Sequence, residues 1–214
     1  MVARKKLDQS LNKKRLKRKQ NPPLHIILCE GESEVGYLSQ VLDSRKCKVT
    51  KADSSLAENI VNQANQMNLV EEQKIYCIFD YDCPEHNTKE QLNKVASIFS
   101  KNQQLIRVLS VRCFEIIFLL ANGATGDKYH TKCDDLVKDI NKFFKIKYTK
   151  NMSGIKKFCQ KLNLLKINFT QICDKNKQVY DKLKIDNDNW LGIAQHSSFS
   201  EIFKLKDFIL NIKP

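Results

Sequence analysis

Two apolar runs in this chain end in carboxylates, and the spacing of those acids suits a divalent cation. Leu24-His25-Ile26-Ile27-Leu28-Cys29 leads into Glu30-Gly31-Glu32-Ser33-Glu34, and Lys74-Ile75-Tyr76-Cys77-Ile78-Phe79 leads into Asp80-Tyr81-Asp82. An apolar run closed by a glycine and acids reads as a buried strand with a carboxylate-bearing turn. Clustered carboxylates repel and resist ionising together, a penalty that Mg2+ (or Mn2+) removes. Asp80 and Asp82 are two apart, the spacing that turns two side chains to one side of a strand. If the two strands are parallel neighbours, Glu30, Asp80 and Asp82 share the carboxyl edge of one sheet, where open α/β sheets bind ligands. Such a set suits phosphoryl chemistry, with one or two metal ions activating water and stabilising charge on a scissile phosphodiester.

The flanking residues have more than one reading. Gly31 lets the backbone turn tightly beside the metal. Glu34 comes about one helical turn after Glu30. It points into the same crevice or stabilises a helix N-terminus through the dipole, and both remain open. Glu32 reads as solvated. Alone, Asp80-Tyr81-Asp82 also fits an ordinary acidic turn with a helix N-cap, and its pairing with Glu30 on another strand is what favours a site. His86, just after the acidic turn, is a weaker acid/base candidate.

The elements that must position these acids alternate from residue 24 to about 120. Strands are expected at Leu24–Cys29, Cys47–Thr50, Ile75–Phe79 and Leu105–Val111. Helices are expected at Val35–Leu42, Leu56–Leu69, Lys89–Phe99 and Phe114–Ala121, from apolar residues at helical spacing. This alternation predicts a mainly parallel sheet with helices on both faces. Beyond residue 125 the pattern is helical: Leu136, Ile140, Phe143 and Phe144 fit one stripe, and Ile155, Phe158, Cys159 and Leu162 another. Residues 168–184 fit a third helix, Trp190 falls near a helix end, and Phe199–Ile212 reads as a closing helix. The expected organisation is a basic tail over 1–23, an α/β core over 24–125 and a helical part over 126–214 packed on that core.

The chain has 214 residues, enough for one well-packed domain, and a formal net charge of +13 that fits a polyanionic partner such as nucleic acid. Lysine- and asparagine-rich composition is the plainer source of that charge. Residues 1–23 concentrate it: Lys13, Lys14, Arg15, Lys17, Arg18 and Lys19 stand with Arg4, Lys5 and Lys6 against Asp8 alone. The tail is either disordered or an arm that binds phosphates through counterion release. The eight cysteines contain no Cys-x-x-Cys pair, so neither a zinc site nor a disulfide framework is indicated. Cys29, Cys77, Cys113 and Cys159 lie in apolar runs and read as packing residues. No window has the length of a membrane span and the N-terminus lacks an apolar signal region, so a cytoplasmic protein with no membrane partner is expected.

Taken in order, these blocks resemble a known family. An apolar strand, Glu30-Gly31-x-Ser33-Glu34, Tyr37 and Phe79-Asp80-Tyr81-Asp82 look like the Toprim-like RloB family of prokaryotic defence proteins. Ser110-Val111-Arg112-Cys113-Phe114-Glu115-Ile116-Ile117-Phe118-Leu119-Leu120 is similar to that family's Ser-Asn-Pro-Cys-Phe-Glu-x-Trp-x-Leu-Leu signature, and Ala194-Gln195-His196-Ser197-Ser198 stands in place of a polar segment before the last helix. Val111-Arg112 replaces the family's Asn-Pro, and Ile117 stands at the tryptophan-rich position. The resemblance covers about residues 24–210. It implies a Toprim-like (Rossmann-like) α/β fold, Mg2+ held by Glu30, Asp80 and Asp82, and nuclease activity on RNA or DNA. It also implies anti-phage or abortive-infection defence beside an ATPase partner.

Glu115, in this third block, is either a further acid or base of the crevice or a helix-start glutamate. Arg112 beside it is placed to neutralise a phosphate or to pair with Glu115. Two other functions stay in view. One is a non-catalytic subunit that binds nucleic acid or the ATPase. The other is a haloacid-dehalogenase-like phosphatase built on Asp80-x-Asp82. Against the latter, Cys83 occupies the usual Thr/Val place and a whole βαβα unit precedes the motif.

Overall fold

The computed structural model describes residues 24–81, 89–124, 130, 132–186 and 197–208. Strands β1 (His25–Cys29), β2 (Cys47–Lys51), β3 (Ile75–Tyr81) and β4 (Leu105–Val111) form one sheet. Helices α1 (Glu32–Val41), α2 (Ala57–Asn65) and α3 (Lys89–Lys101) alternate with them. Helices α4 (Ile116–Ala121), α5 (Cys133–Phe144), α6 (Met152–Leu164) and α7 (Phe169–Lys182) follow, and a 3-10 helix spans Ile202–Phe208. The strand order is β2-β1-β3-β4 and every pair is parallel. The chain leaves β1 to one side to make β2, then returns to the other side to make β3. That reversal opens a crevice at the carboxyl ends of β1 and β3.

The sheet is covered on both faces, which is why its central strands read as continuous apolar runs rather than alternating ones. Leu28, Ile75, Cys77, Phe79, Leu109 and Val111 pack in one core with Ile60, Val61 and Ala64 of α2 and Val95 of α3. Ile27, Cys29, Tyr76, Ile78 and Val108 point the other way, into a core with Tyr37 and Leu38 of α1 and the side chains of α4–α7. Asp80 shares the parity of Tyr76 and Ile78, so strand pleating alone sends its side chain to the α1 and α4–α7 face.

Strand β3 runs two residues further than the apolar run suggests. Asp80 and Tyr81 still pair with Ser110 and Val111, so Asp80 is a strand residue rather than the first residue of a turn. At the chain's end, Phe199–Ile212 is not one α-helix. Val111 donates its N–H to the Phe199 carbonyl, Glu201 donates to Leu109, and Ser110 and Ser200 form an antiparallel bridge before the 3-10 turn begins. Among the described residues, no helix is long and apolar enough to cross a membrane. The basic tail, Asp82, His86, Trp190 and the 194–196 segment lie outside the described residues.

Candidate functional site

The parallel register fixes the first two acids beside each other. Cys29 pairs with Ile78, and the Glu30 N–H continues the ladder to the Ile78 carbonyl at 3.1 Å. Glu30 then turns its carboxylate across the crevice, where Oε2 accepts the backbone N–H of Asp80 at 2.9 Å. Strand β3 thereby holds the Glu30 side chain in place.

Glu34 lies in the first turn of α1 and is also buried in the crevice, at 5% exposure, so it fills both roles that its spacing left open. Its carboxylate folds back over Gly31. A Cβ at residue 31 would stand 2.7 Å from Glu34 Oε2. The backbone of Gly31 is extended, at φ −126°, a conformation any residue adopts. Glycine therefore serves here by leaving room for Glu34, and the tight turn expected at this position is not what requires it.

Glu115 reaches the same region from the N-cap of α4, so it is a helix-start residue as well as a neighbour of the crevice acids. It is 1% exposed, and its Oε1 accepts the Tyr148 hydroxyl at 2.8 Å. Lys150 Nζ stands 3.1 Å from its Oε2. Arg112 is buried, with its guanidinium carbon 5.9 Å from the centre of the Tyr81 ring. The cation on Glu115 is thus Lys150. Tyr148 and Lys150 had no sequence signal, since both come from the polar loop between α5 and α6. That loop is nonetheless well braced. Asn141 Oδ1 accepts the Tyr148 N–H at 2.6 Å, and Asn151 caps α6 by accepting the Gly154 N–H at 2.8 Å. A side chain at Gly154 would run into the Thr149 carbonyl, 2.1 Å from the Cβ position, so glycine lets α6 start against the loop.

The electrostatics reflect this crowding. Burial pushes the Asp80 carboxyl well above the usual carboxylate range. Glu34 and then Glu30 push the same way, Lys150 pulls back, and Glu115 adds to the rise. Burial raises Glu34 to about 7; Glu115 reinforces this, while backbone amides and Lys150 oppose it. For Lys150, burial alone favours the neutral amine, but the Glu115 carboxylate beside it leads the opposing influences and the pKa is raised. Asp80 Oδ1 is buried without a hydrogen-bond partner among the described residues. An orphaned carboxylate oxygen beside two further acids is a donor that a bound cation would satisfy. Among the described residues, no three His, Cys, Asp or Glu side chains converge as a ready metal site. Asp82, the expected third ligand, lies outside the described residues, as do Lys13, Lys14, Arg15, Lys17, Arg18 and Lys19.

The cysteines near the site are packing groups. Cys29, Cys77 and Cys113 are free and buried, and burial pushes the Cys77 thiol up to about 12. They are poor ligands in this state, because a thiol must lose its proton to bind metal.

Comparison with curated proteins finds no match, and neither does comparison with solved structures. One family model does match, and it spans both the acidic strand ends and the loop that brings Lys150 to them. It is that of the RloB-like protein family, over residues 25–205, and the chain belongs to that family.

Proposed function

We propose that the protein is a Mg2+-dependent (or Mn2+-dependent) nuclease of Toprim type that hydrolyses phosphodiesters in RNA or DNA. The observation that carries this reading is the pairing of Glu30 with Asp80 at the crevice between β1 and β3, with Asp80 Oδ1 left unsatisfied among the described residues. Glu30, Asp80 and Asp82 would hold the ion. When bound, it supplies the charge that makes water a nucleophile near neutral pH and neutralises the transition state. The chain's own residues prepare the place. The Asp80 N–H orients the Glu30 carboxylate, Glu115 and Tyr148 fix each other, and Glu115 steers Lys150. The Lys150 side chain is 39% exposed, which leaves it able to reach a phosphate oxygen of an incoming strand. The surplus of positive charge draws a polyanion to the surface.

The family membership extends the proposal to anti-phage or abortive-infection defence in the cytoplasm, with an ATPase partner restraining the activity. A second reading, a nucleic-acid- or ATPase-binding subunit that does not cut, is favoured by one observation: the described residues alone do not assemble three metal ligands.

The test is cleavage of plasmid DNA, single-stranded DNA and RNA with and without Mg2+ or Mn2+, alone and with any ATPase found encoded beside it. The nuclease reading expects metal-dependent cutting that Asp80→Asn and Glu30→Gln abolish while the circular-dichroism spectrum is kept. Nucleic-acid binding with no cutting under any of these conditions would establish the second reading.

A further inference from the structure

Two thiols meet beside the carboxylate crevice, and the chemistry described above uses neither. Cys113 is fully buried in the core that holds Tyr37, Phe114 and Phe118. Cys133, the first residue of α5, packs against the same core but is only half-buried. The Cys133 thiol reaches the peptide just before Cys113, with its sulfur 4.0 Å from the Arg112 carbonyl oxygen. It also hydrogen-bonds with the Cys113 thiol itself. No cysteine motif links the two in sequence, and α4 lies between them along the chain.

Nearness in the sheet alone does not bring sulfurs together. Cys29 and Cys77 lie on adjacent strands, but pleating sends them into opposite cores. In the Cys113–Cys133 pair, access is also divided. Cys133 is open to a small oxidant, whereas Cys113 is shielded and reacts only with what Cys133 becomes. A solvent-accessible thiol next to a second, resolving thiol is the arrangement of a redox sensor. Lys150 is close enough to interact electrostatically with both sulfurs, and a cation beside a thiol favours its reactive, deprotonated form. Asp134 and Asp135, which follow Cys133 in the first turn of α5, act against it.

We propose that Cys113 and Cys133 form a reversible disulfide when the protein meets a peroxide, and that this bond displaces Glu115. The Cys133 sulfur attacks one peroxide oxygen and breaks the O–O bond, giving a sulfenic acid and releasing the other oxygen as water or alcohol. The Cys113 sulfur then attacks the Cys133 sulfur. The S–S bond forms, and the sulfenic oxygen leaves as water with the Cys113 proton. Two thiols have lost two electrons and two protons, and the peroxide has gained them. Forming the bond draws Cys113 out of its packed position towards α5. Glu115 lies two residues further on, and its 2.8 Å contact with Tyr148 and 3.1 Å contact with Lys150 depend on where that segment sits. The effect on cleavage rests on the nuclease reading; formation of the disulfide does not.

The experiment treats the full-length, folded protein with hydrogen peroxide, alkylates the remaining thiols and maps the peptides by mass spectrometry without reduction. The proposal expects one dominant cross-link, Cys113 to Cys133, that dithiothreitol reverses and that Cys133→Ser lacks. After the peroxide is removed, metal-dependent cleavage by the oxidised parent should be about tenfold slower and should recover on reduction, while the same treatment leaves Cys133→Ser unchanged. The parent carries the main readout, so no substitution in the core is needed. Oxidation of Cys133 to the sulfinic acid with Cys113 still reduced overturns the proposal. So do survival of both thiols, a cross-link of either one to another cysteine such as Cys83, and a Cys113–Cys133 cross-link that leaves cleavage unchanged. A cross-link in a protein that cuts nothing in either state removes the nuclease reading and keeps the disulfide.

Discussion

Glu115 Oε2 and Lys150 Nζ stand 3.1 Å apart, one at the N-cap of α4 and the other in the loop between α5 and α6. The pair ties the helical half of the chain to the acidic strand ends. Lys150 is also the one described cation that lowers both Asp80 and Glu34. Lys150→Met should therefore lower stability at pH 8. Because Lys150 is 39% exposed, solvent screens part of the interaction and the loss should be about 1 kcal/mol. The double variant Glu115→Gln/Lys150→Met should lose less than the sum of its parts. Urea unfolding of the four proteins measures that coupling, and strict additivity would show that the pair contributes nothing to stability.

The crevice also predicts a pH dependence. Glu34 is raised from the ordinary carboxylate range to about 7 in the folded chain. Between these limits the folded state holds more protons than the unfolded one, so stability falls as pH rises through the window and is flat above it. His25, whose pKa is lowered by burial and then by Lys74, acts in the opposite sense across part of the same range. The clean readout is therefore a comparison. Without divalent metal, Glu34→Gln should melt roughly 3–6 °C above the parent at pH 8 and level with it at pH 5. An equal gain at both pH values would mean that Glu34 does not titrate in this window.

What could be read from the chain depended on whether a residue's partner lay in a periodic element. Glu30 and Asp80 were legible because each closes an apolar run, and runs covered on both faces imply neighbouring parallel strands. The sheet order and both cores follow from the same alternation. Lys150 is one of 37 lysines and arginines, in a loop whose shape depends on the Asn141 side chain, and no local pattern singles it out. His130 and Asp139 are likewise nine residues apart and meet only through the packing of α5. Phe143 departs from its stripe for a related reason. A helix stripe wide enough to include both Phe143 and Phe144 assumes a neighbour on each side, and a cavity lies where the second neighbour would be.

Gly31→Ala separates room from backbone freedom. The extended φ at this position tolerates a side chain, but the new Cβ would meet Glu34 Oε2. The flexible Glu34 side chain gives way, so the fold should survive with a loss of no more than about 1 kcal/mol. Metal-dependent cleavage should fall by about tenfold, since a buried acid has moved in the crevice. Unfolding of this variant under ordinary conditions would mean that the glycine serves the backbone after all.

Glu201 provides the most severe expected substitution, on the far side of β4 from β3. Its carboxylate is fully buried and takes two hydrogen bonds from Arg107, at 3.0 and 2.7 Å, and one from the Leu109 N–H at 3.1 Å. Lys204 stands 3.0 Å away and donates to the Arg107 carbonyl. Burial alone would raise the Glu201 pKa, but Arg107 and Lys204 outweigh it and hold the carboxyl low, so it stays ionised through neutral pH. Together Glu201 and Lys204 close backbone groups on the outer edge of β4, the kind of row that otherwise invites pairing with another chain. Glu201→Ala removes two hydrogen bonds from a mostly buried guanidinium and the side-chain acceptor of the Leu109 N–H. It should cost about 3–5 kcal/mol and lower the melting temperature by roughly 10 °C. The exposed edge should also make the variant aggregate on heating, which light scattering during the melt would detect. A variant that melts within a few degrees of the parent and stays clear would show that the edge is closed by something other than this carboxylate.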